Sequence, residues 1–492
     1  MSEYPMPNIK HPDRLFIGGE WVLPNSGRQL EIVSPDTEQV VARVAEADET
    51  DMDRAVAAAR QAFDHGPWQW MSPGERIAAI QRLVAALRRR HAEISAAWSL
   101  QMGGLQAMAG YLTERGTMNL EDAIAVGKTF EFIKKVDSPA APAAYVVHEP
   151  VGVVAAIAPW NVPYMIMAAK IGPSLLAGCT VVMKPSPETP LEAYIIAECA
   201  EEAGLPAGVI NLVPAHREAA DHLVRNPGID KVSFTGSTAA GKHIGEVCAS
   251  RVARCTLELG GKSAAVIMDD MSAQEAAQIL TGAITMVSGQ VCAMLTRAIV
   301  PQRRHDEVAD AIAAAMCQVR VGHSNDAEAQ MGPLAMARQL DRVQSYIEAG
   351  VSAGADLVTG GNRPSHLNRG YFFEPTLFAN VRNDMRIAQE EIFGPVLSLI
   401  PCEDEEDAVR IANESSYGLN GSVLTHDPDA AWRVARRIRT GNVGQNGMRT
   451  DFSLPFGGYK QSGLGREGGA QGLMHYLETK TIMLDGEPAS AV

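Results

Sequence analysis

From about Val151 onward, short β-branched runs alternate with helix-forming stretches, and few folds accommodate that alternation. The runs are Val151–Ile157, Cys179–Met183, Val209–Val213 and Lys231–Phe234, with Pro163–Ala177, Leu191–Ala203 and Thr238–Ala249 between them. Strand, helix, strand in steady succession predicts a parallel sheet with helices on both faces, because right-handed crossovers return each strand beside its predecessor. A second alternating block has strands near Ala264–Met268 and Ala298–Val300 and helices near Ala273–Val287 and Asp306–Cys317. The expected fold class is therefore α/β, with two doubly wound parallel-sheet domains.

A chain of 492 residues is too long for one ordinary core, which agrees with two such domains. Upstream, Leu15–Val22 reads as extended, and Asp51–Phe63 and Ser72–Arg90 read as alanine-rich helices with apolar residues at helical spacing. Phe130–His148, which carries Pro139 and Pro142, and Glu478–Leu484 read as two extended arms. Arms so far apart in sequence predict a small edge sheet that pairs with another subunit, in a homodimer or homotetramer. The expected boundaries are 1–129 with 150–258 for the first domain, 259–470 for the second, and 130–149 with 471–492 for the arms.

Charge and cysteine usage exclude several partners. A net charge of −15 repels a phosphate backbone, so no nucleic acid is expected. The first twenty residues show no basic start followed by an apolar run, and the apolar stretches are far shorter than the ~20 residues that span a bilayer. Seven scattered cysteines, with no C-x-x-C pair, predict reduced thiols and a cytoplasmic protein. The twelve histidines contain no H-E-x-x-H, and no metal site is expected.

Two glycine-rich segments compete as phosphate sites. Gly463-Leu464-Gly465-Arg466-Glu467-Gly468 matches G-x-G-x-x-G letter for letter, yet no β-branched run leads into it and no βαβ unit follows, so it reads as a turn or loop. Val232-Ser233-Phe234-Thr235-Gly236-Ser237-Thr238 is the better candidate. There a strand runs into a glycine and two hydroxyls and then into a helix, whose first N–H groups suit a pyrophosphate; the plainer reading is an ordinary capped helix. Lys184 ends a strand at the carboxyl edge, where ligands bind in open α/β sheets, although a lone lysine is more often solvated.

Cys292, in Ser288-Gly289-Gln290-Val291-Cys292-Ala293, is by itself a small buried hydrophobe like most cysteines. Glu258 follows an apolar strand and precedes Gly260-Gly261, a setting that desolvates it and raises its pKa; the alternative is a surface acid paired with Lys262. Asn161, between Trp160 and Val162-Pro163, is either an amide donor to a reaction centre or a helix cap. A thiol, a carboxylate and an amide donor are the parts that oxidation of an aldehyde through a thioester needs.

Together these runs resemble the aldehyde dehydrogenase superfamily over nearly the whole chain. The likeness extends through Gln330-Met331-Gly332-Pro333-Leu334, Glu390-Glu391-Ile392-Phe393-Gly394-Pro395-Val396, Pro455-Phe456-Gly457-Gly458-Tyr459-Lys460 and Gly463-Leu464-Gly465-Arg466-Glu467. It implies a Rossmann-like cofactor domain, a catalytic domain and an oligomerisation sheet. It also implies that NAD binds with its phosphates over the helix start at Gly236, NADP not being excluded. Lys184 and Glu391 would hold ribose hydroxyls, Phe393 would pack near the nicotinamide end, and Trp160, Ser186, Thr235, Ser237, Gly241 and Leu259 would complete the site.

By the same resemblance Cys292 is the nucleophile, Asn161 and the Cys292 backbone N–H hold the oxyanion, and Glu258 activates the hydrolytic water. Lys170 and Glu467 match a pair that relays the released proton. Relatives that pass the acyl group to coenzyme A typically lack a base at the position of Glu258, so the implied product is a free acid.

Two departures bear on specificity. Many NAD-preferring relatives place a glutamate where this chain has Pro187, and the nearest carboxylate here is Glu188. Many relatives also carry aromatics one and eight positions after the asparagine, where this chain has Val162 and Ala169, while Phe456 keeps a third aromatic position. A tunnel lined by Val162, Met165, Ala169, Val291, Ala293 and Phe456, with Met167 as a further adaptable wall, is expected to be wide and to take a bulky apolar or aromatic aldehyde. It lacks the stacked aromatics that a quaternary ammonium wants. Arg449 could read a carboxylate, which would make the substrate a semialdehyde, but arginines are mostly exposed. A coenzyme A-acylating enzyme and a catalytically silent protein on the same scaffold are the remaining alternatives.

Overall fold

The computed structural model describes residues 6–489, so the outermost residues of the expected cofactor domain (1–5) and of the C-terminal arm (490–492) lie outside it. Its centre is two sheets. The first has eight strands, in the order Gly463–Leu464, Arg254–Glu258, Lys231–Thr235, Val153–Ile157, Thr180–Lys184, Ile210–Leu212, Leu15–Ile17, Glu20–Val22. The five strands from Arg254–Glu258 to Ile210–Leu212 run parallel, and antiparallel strands close both edges.

The apolar residues of this sheet show why it is covered on both faces. Val154, Ala156, Val181 and Met183 pack with the Pro163–Ala177 and Leu191–Glu202 helices. Their neighbours Val153, Ala155, Ile157 and Val182 pack on the opposite face with the Glu49–His65 and Thr238–Ser250 helices. Strands buried on both faces read as continuous apolar runs, and that was the pattern in the sequence.

The second sheet has seven strands, in the order Asp356–Thr359, Thr376–Ala379, Val396–Cys402, Leu295–Pro301, Ser263–Ile267, Asn420–Leu424, Asn442–Gln445, parallel except for the first pair. The two arms meet as expected. Leu477–Leu484 pairs antiparallel with Ala143–Pro150 along its full length, and Ile133–Val136 completes a three-stranded sheet.

Capping sets helix starts cleanly where the chemistry is local. Ser72 and Glu75 form a reciprocal capping box, and proline at the first helical position fixes the start of the Pro73–Arg89 helix. The helix expected to reach Val287 stops at Thr285 instead. Val287 and Ser288 are left-handed (φ 51° and 54°), which turns the chain into the loop bearing Cys292. Gly463-Leu464, the letter-perfect glycine motif, is neither a phosphate loop nor a plain turn but a two-residue edge strand paired with Leu257-Glu258. No helix among the described residues is long and apolar enough to cross a membrane. Among the same residues no group of three or more His, Cys, Asp or Glu side chains could hold a metal ion.

Candidate active site

A cleft of about 630 Å³ opens where the carboxyl ends of the first sheet face the second. Its walls include Trp160, Asn161, Val162, Met165, Lys184, Ser186, Thr235, Gly236, Ser237, Leu259, Val291, Cys292, Ala293, Glu391, Phe393 and Phe456, residues singled out from the sequence. They arrive from segments far apart in the chain, and each is fixed by a different local device.

The cofactor end is built on the Lys231–Thr235 strand. Gly236 donates its N–H to the Glu258 carbonyl at 3.0 Å, and Ser237 Oγ caps the Thr238–Ser250 helix by accepting the Ala240 N–H at 3.3 Å. The remaining first-turn N–H groups lack intrahelical partners, which makes the helix start an anion site. Thr235 Oγ1 is buried with no hydrogen-bond partner among the described residues. An unsatisfied hydroxyl beside that helix start fits a polar ligand such as a dinucleotide. Gly241 does not face the cleft; a Cβ there would lie 2.3 Å from Leu259 Cδ2, so it is a close-packing glycine. Lys184 is buried at its strand end, and burial pushes its ammonium down to about 8.

Glu391 accepts the Gly261 N–H at 3.0 Å, and burial pushes its carboxyl up to about 7. Phe393 sits in the left-handed region (φ 63°) with its ring edge-on to Trp160, centroids 5.2 Å apart. The segment holding both is clamped from the Ala337–Ser352 helix. Gln339 donates to the Phe393 carbonyl at 2.5 Å, and Arg342 donates to the Ile392 and Glu391 carbonyls. Neither Gln339 nor Arg342 was singled out from the sequence.

The thiol end is held with comparable care. Asn161 is 4% exposed, its side-chain amide donates to the Gln290 carbonyl at 2.8 Å, and its backbone carbonyl accepts the Trp98 indole N–H at 2.8 Å. That use of the amide leaves its second N–H for the cleft. Gln290, fully buried, donates to the Val287 carbonyl and accepts the Ala335 N–H, both at 3.0 Å. Ser288 Oγ donates to the Gly332 carbonyl at 2.8 Å. On the other side, a Cβ at Gly261 would lie 2.4 Å from the Cys292 carbonyl, so only glycine permits that approach.

Cys292 is half-buried on the cleft wall. Its thiol is pushed up to about 12, first by burial and then by the charges of Glu391 and Glu258. The neutral thiol is therefore the resting form at pH 7. Alkylation by iodoacetamide should accelerate about tenfold per pH unit from about pH 7 to 10. A rate that levels off below about pH 9 would contradict this environment.

Glu258, at the end of the Arg254–Glu258 strand, lies behind the cleft wall rather than on it. It is 3% exposed, and neither carboxylate oxygen has a hydrogen-bond partner among the described residues. Burial, reinforced by Glu467, holds its carboxyl well above the usual carboxylate range, while Lys170 and Arg466 act in the opposite sense. It is not paired with Lys262, which is itself buried and without a partner among the described residues. Lys170 and Glu467 form a buried ion pair at 2.5 Å, also behind the wall. Glu467 is joined to Phe456 by reciprocal backbone hydrogen bonds of 2.7 Å, which ties this pair to the aromatic wall.

Two expectations about the substrate walls need correction, those for Ala169 and Met167. Ala169 does not face the cleft; with Asn119, Asp122 and Leu473 it lines a separate small cavity. Phe452 lines both spaces and stands between them. Met167 is buried in the core at 1% exposure, so Met165 is the methionine of the wall from that helix. Arg449 is exposed and donates to the Gln445 carbonyl at 2.9 Å, while Met448, Thr450 and Phe452 from the same loop face the cleft, as does Ile166.

Residues 21–482 match the model of the Aldehyde dehydrogenase family. The geranial dehydrogenase of Castellaniella defragrans is 44% identical over 473 residues, covering 96% of this chain and 98% of that one. A 3-succinoylsemialdehyde-pyridine dehydrogenase of a Pseudomonas species is 40% identical, covering 95% and 98%. A crystal structure of a Mycobacterium tuberculosis aldehyde dehydrogenase complexed with NAD+ superposes with a TM-score of 0.94 at 42% identity, covering 96% of this chain and 98% of that one.

Proposed function

Since the chain belongs to the aldehyde dehydrogenase family, we propose that it oxidises a bulky apolar aldehyde to the free carboxylic acid, with NAD+ as the hydride acceptor and Cys292 as the nucleophile. The observation that carries this reading is one cleft that joins a thiol and an amide donor to an anion-binding helix start.

The roles proposed for the residues of the cofactor end are those the family resemblance implies. The helix start at Gly236 and Ser237 would take the pyrophosphate, Lys184 and Glu391 the ribose hydroxyls, and Phe393 and Trp160 the nicotinamide end. NAD+ supplies the acceptor for the hydride that leaves the substrate carbon. Everything else is done by side chains and backbone. The Cys292 thiol releases its proton to water in the cleft as its sulfur bonds to the aldehyde carbon and the carbonyl π bond opens, forming a thiohemiacetal whose oxyanion is met by the free Asn161 N–H and the Cys292 N–H. Loss of the hydride leaves a thioester on Cys292. Glu258 then takes a proton from water as the water attacks the thioester carbonyl, and Cys292 departs as thiolate. The adjacent Lys170–Glu467 ion pair gives the proton a buried exit.

Substrate class follows from the chemistry of the walls. Val162, Met165, Ile166, Met448, Phe452 and Phe456 are apolar, and the cations that face the cleft are Lys184, Arg338 and Arg342, on the cofactor side. With Arg449 turned away, no cation among the described residues faces the substrate end to pair with a carboxylate, which favours a terpenoid or aromatic aldehyde over a carboxylate-bearing semialdehyde. The name of the geranial-oxidising relative points the same way. A panel of aliphatic, aromatic, terpenoid and semialdehyde substrates tests the assignment; a preference for the carboxylate-bearing semialdehydes would refute it. Val162→Phe should lower the ratio of kcat/KM for a branched terpenoid aldehyde to that for propanal by about tenfold, since about one to three kcal/mol attaches to each misfitted group in an apolar pocket. An unchanged ratio would remove Val162 from the substrate wall.

Domain roles and assembly are part of the same proposal. Residues 1–129 with 150–258 form the cofactor domain and 259–470 the catalytic domain, with Gly463–Leu464 returning to pair with the cofactor sheet. The three-stranded sheet has open edges and exposed apolar residues, Ile133 and Met483, which suit pairing with another copy in a homodimer or homotetramer. Seven free cysteines suit the reducing cytoplasm.

A further inference from the structure

Behind the loop that carries Cys292 lies a second cavity, of about 200 Å³, and no residue lines both it and the cleft. Its mouth lies between the first turn of the Gln106–Gly127 helix and the end of the Ala273–Thr285 helix, at Met108, Gly282 and the adjoining Met286. Its inner end is the Trp98 ring with Ser288 and Gly332. Two glycines keep this space open. A Cβ at Gly104 would lie 2.0 Å from the Trp98 ring, and one at Gly282 would meet no atom within 4 Å.

The walls select the chemistry of an occupant. Trp98, Met102, Leu105, Met108 and Met286 present apolar surface, and the methionines make it adaptable. Two hydroxyls interrupt it, those of Thr285 and Ser288. Each already donates, Thr285 to the Thr281 carbonyl and Ser288 to the Gly332 carbonyl, both at 2.8 Å, and neither accepts a hydrogen bond among the described residues. The polar groups of the wall therefore offer acceptor oxygens, which call for a donor on the ligand. No Lys, Arg, His, Asp or Glu lines the cavity, so an ionised ligand would lose its water without gaining a partner. An apolar cavity of about 150 Å³ already admits benzene, so this one has room for a substituted ring or a branched chain.

We infer that this cavity binds an aromatic or branched apolar alcohol, whose O–H donates to Thr285 or Ser288, and that its occupancy steadies the segment presenting Cys292. The coupling is built into the walls. Trp98 donates its indole N–H to the Asn161 backbone carbonyl, and the left-handed Val287 and Ser288 turn the chain toward Cys292. An alcohol packed on the Trp98 ring and bonded beside Ser288 binds the arrangement in which those contacts exist, and so stabilises it. A primary alcohol of this class is also the reduced counterpart of the aldehyde in the proposed reaction. That link rests on the substrate reading; the binding itself does not.

A crystal structure of the intact enzyme with para-bromobenzyl alcohol locates the ligand by the anomalous signal of its bromine, which should appear in this cavity. Benzylation of Cys292 fills the substrate end of the cleft, so calorimetry on that form reads the cavity alone. There the alcohol should bind about fivefold or more tightly than para-bromotoluene, which has the same ring and no donor. Gly282→Leu puts a branched chain into the mouth and should weaken the alcohol by about tenfold or more. Gly282→Ala, whose methyl meets no atom, should bind like the wild type and keeps the helix as a control. Amide exchange in the 286–292 segment of the benzylated enzyme should slow by about threefold or more at saturation, and this slowing should be lost in Gly282→Leu. Bromine confined to the cleft, equal affinities for the alcohol and bromotoluene, or a Gly282→Leu affinity equal to wild type overturns the binding site. Exchange unchanged by the alcohol overturns the coupling to Cys292. None of these measurements needs turnover, so failure of the proposed aldehyde oxidation would show separately, in the substrate panel.

Discussion

Replacing Cys292 with alanine is expected to lower aldehyde oxidation by about 10⁴-fold or more, the scale on which removing a covalent nucleophile acts. The dissociation constant for NAD+ should stay close to the wild-type value. The reason for the split is spatial. The elements proposed to hold the cofactor, Lys184 and the helix start at Gly236, are anchored by the first sheet. Cys292 is anchored separately, by Ser288 and Gln290 bonded to Gly332, Val287 and Ala335. Removing one sulfur atom leaves all of those bonds in place, so lost turnover would report chemistry and not collapse of the loop. Steady-state NADH formation by the alanine variant at more than about a hundredth of the wild-type rate would remove Cys292 from its proposed role.

Glu258→Gln is expected to separate the two halves of the reaction. Acylation of Cys292 does not need the carboxylate, so NADH should appear as a rapid stoichiometric burst. Deacylation does need it, so the steady state that follows should slow by about 10²–10⁴-fold, the range for loss of a general base. Glu258 suits that role because burial, reinforced by Glu467, raises its pKa well above the usual carboxylate range. The sign follows directly. A raised pKa means that the carboxyl is protonated below it, so wild-type deacylation should rise as pH climbs through that pKa, and the glutamine variant should lose this dependence. If coenzyme A restored turnover to the variant and the wild type required it, the hydrolytic reading would fall.

The core of the fold and the main line of the site were legible because their signals are local. Val153 to Ile157 is apolar at every position since both faces of its strand are covered. Gly236-Ser237 reads as a helix start because glycine and a capping hydroxyl announce one. The residues that went unread act across the chain. Trp98 holds the Asn161 carbonyl from 63 positions away, and Gln339 holds the Phe393 carbonyl from 54. Arg338 reaches Glu188 from the other side of the cleft. No period or spacing encodes a side chain that bonds a distant backbone carbonyl.

The misplacements at Val287–Ser288 and at Ala169 have equally physical causes. Val287 and Ser288 are ordinary helix-compatible residues locally, and their left-handed backbone is imposed by the buried bonds of Ser288 and Gln290. Ala169 lies one turn beyond Met165 and Ile166 on the same helix, and the Phe452 ring stands between its cavity and the cleft. Small residues at 162 and 169 therefore do not add their space together; only Val162 widens the cleft.

The intact mass of Glu258→Gln, quenched in acid after one turnover with a terpenoid aldehyde and NAD+, reads the proposed chemistry at its centre. The protein should carry one added acyl group, located by digestion on the peptide containing Cys292 and released by hydroxylamine. An unmodified protein after a full NADH burst, or an acyl group on any other residue, would contradict a thioester on Cys292.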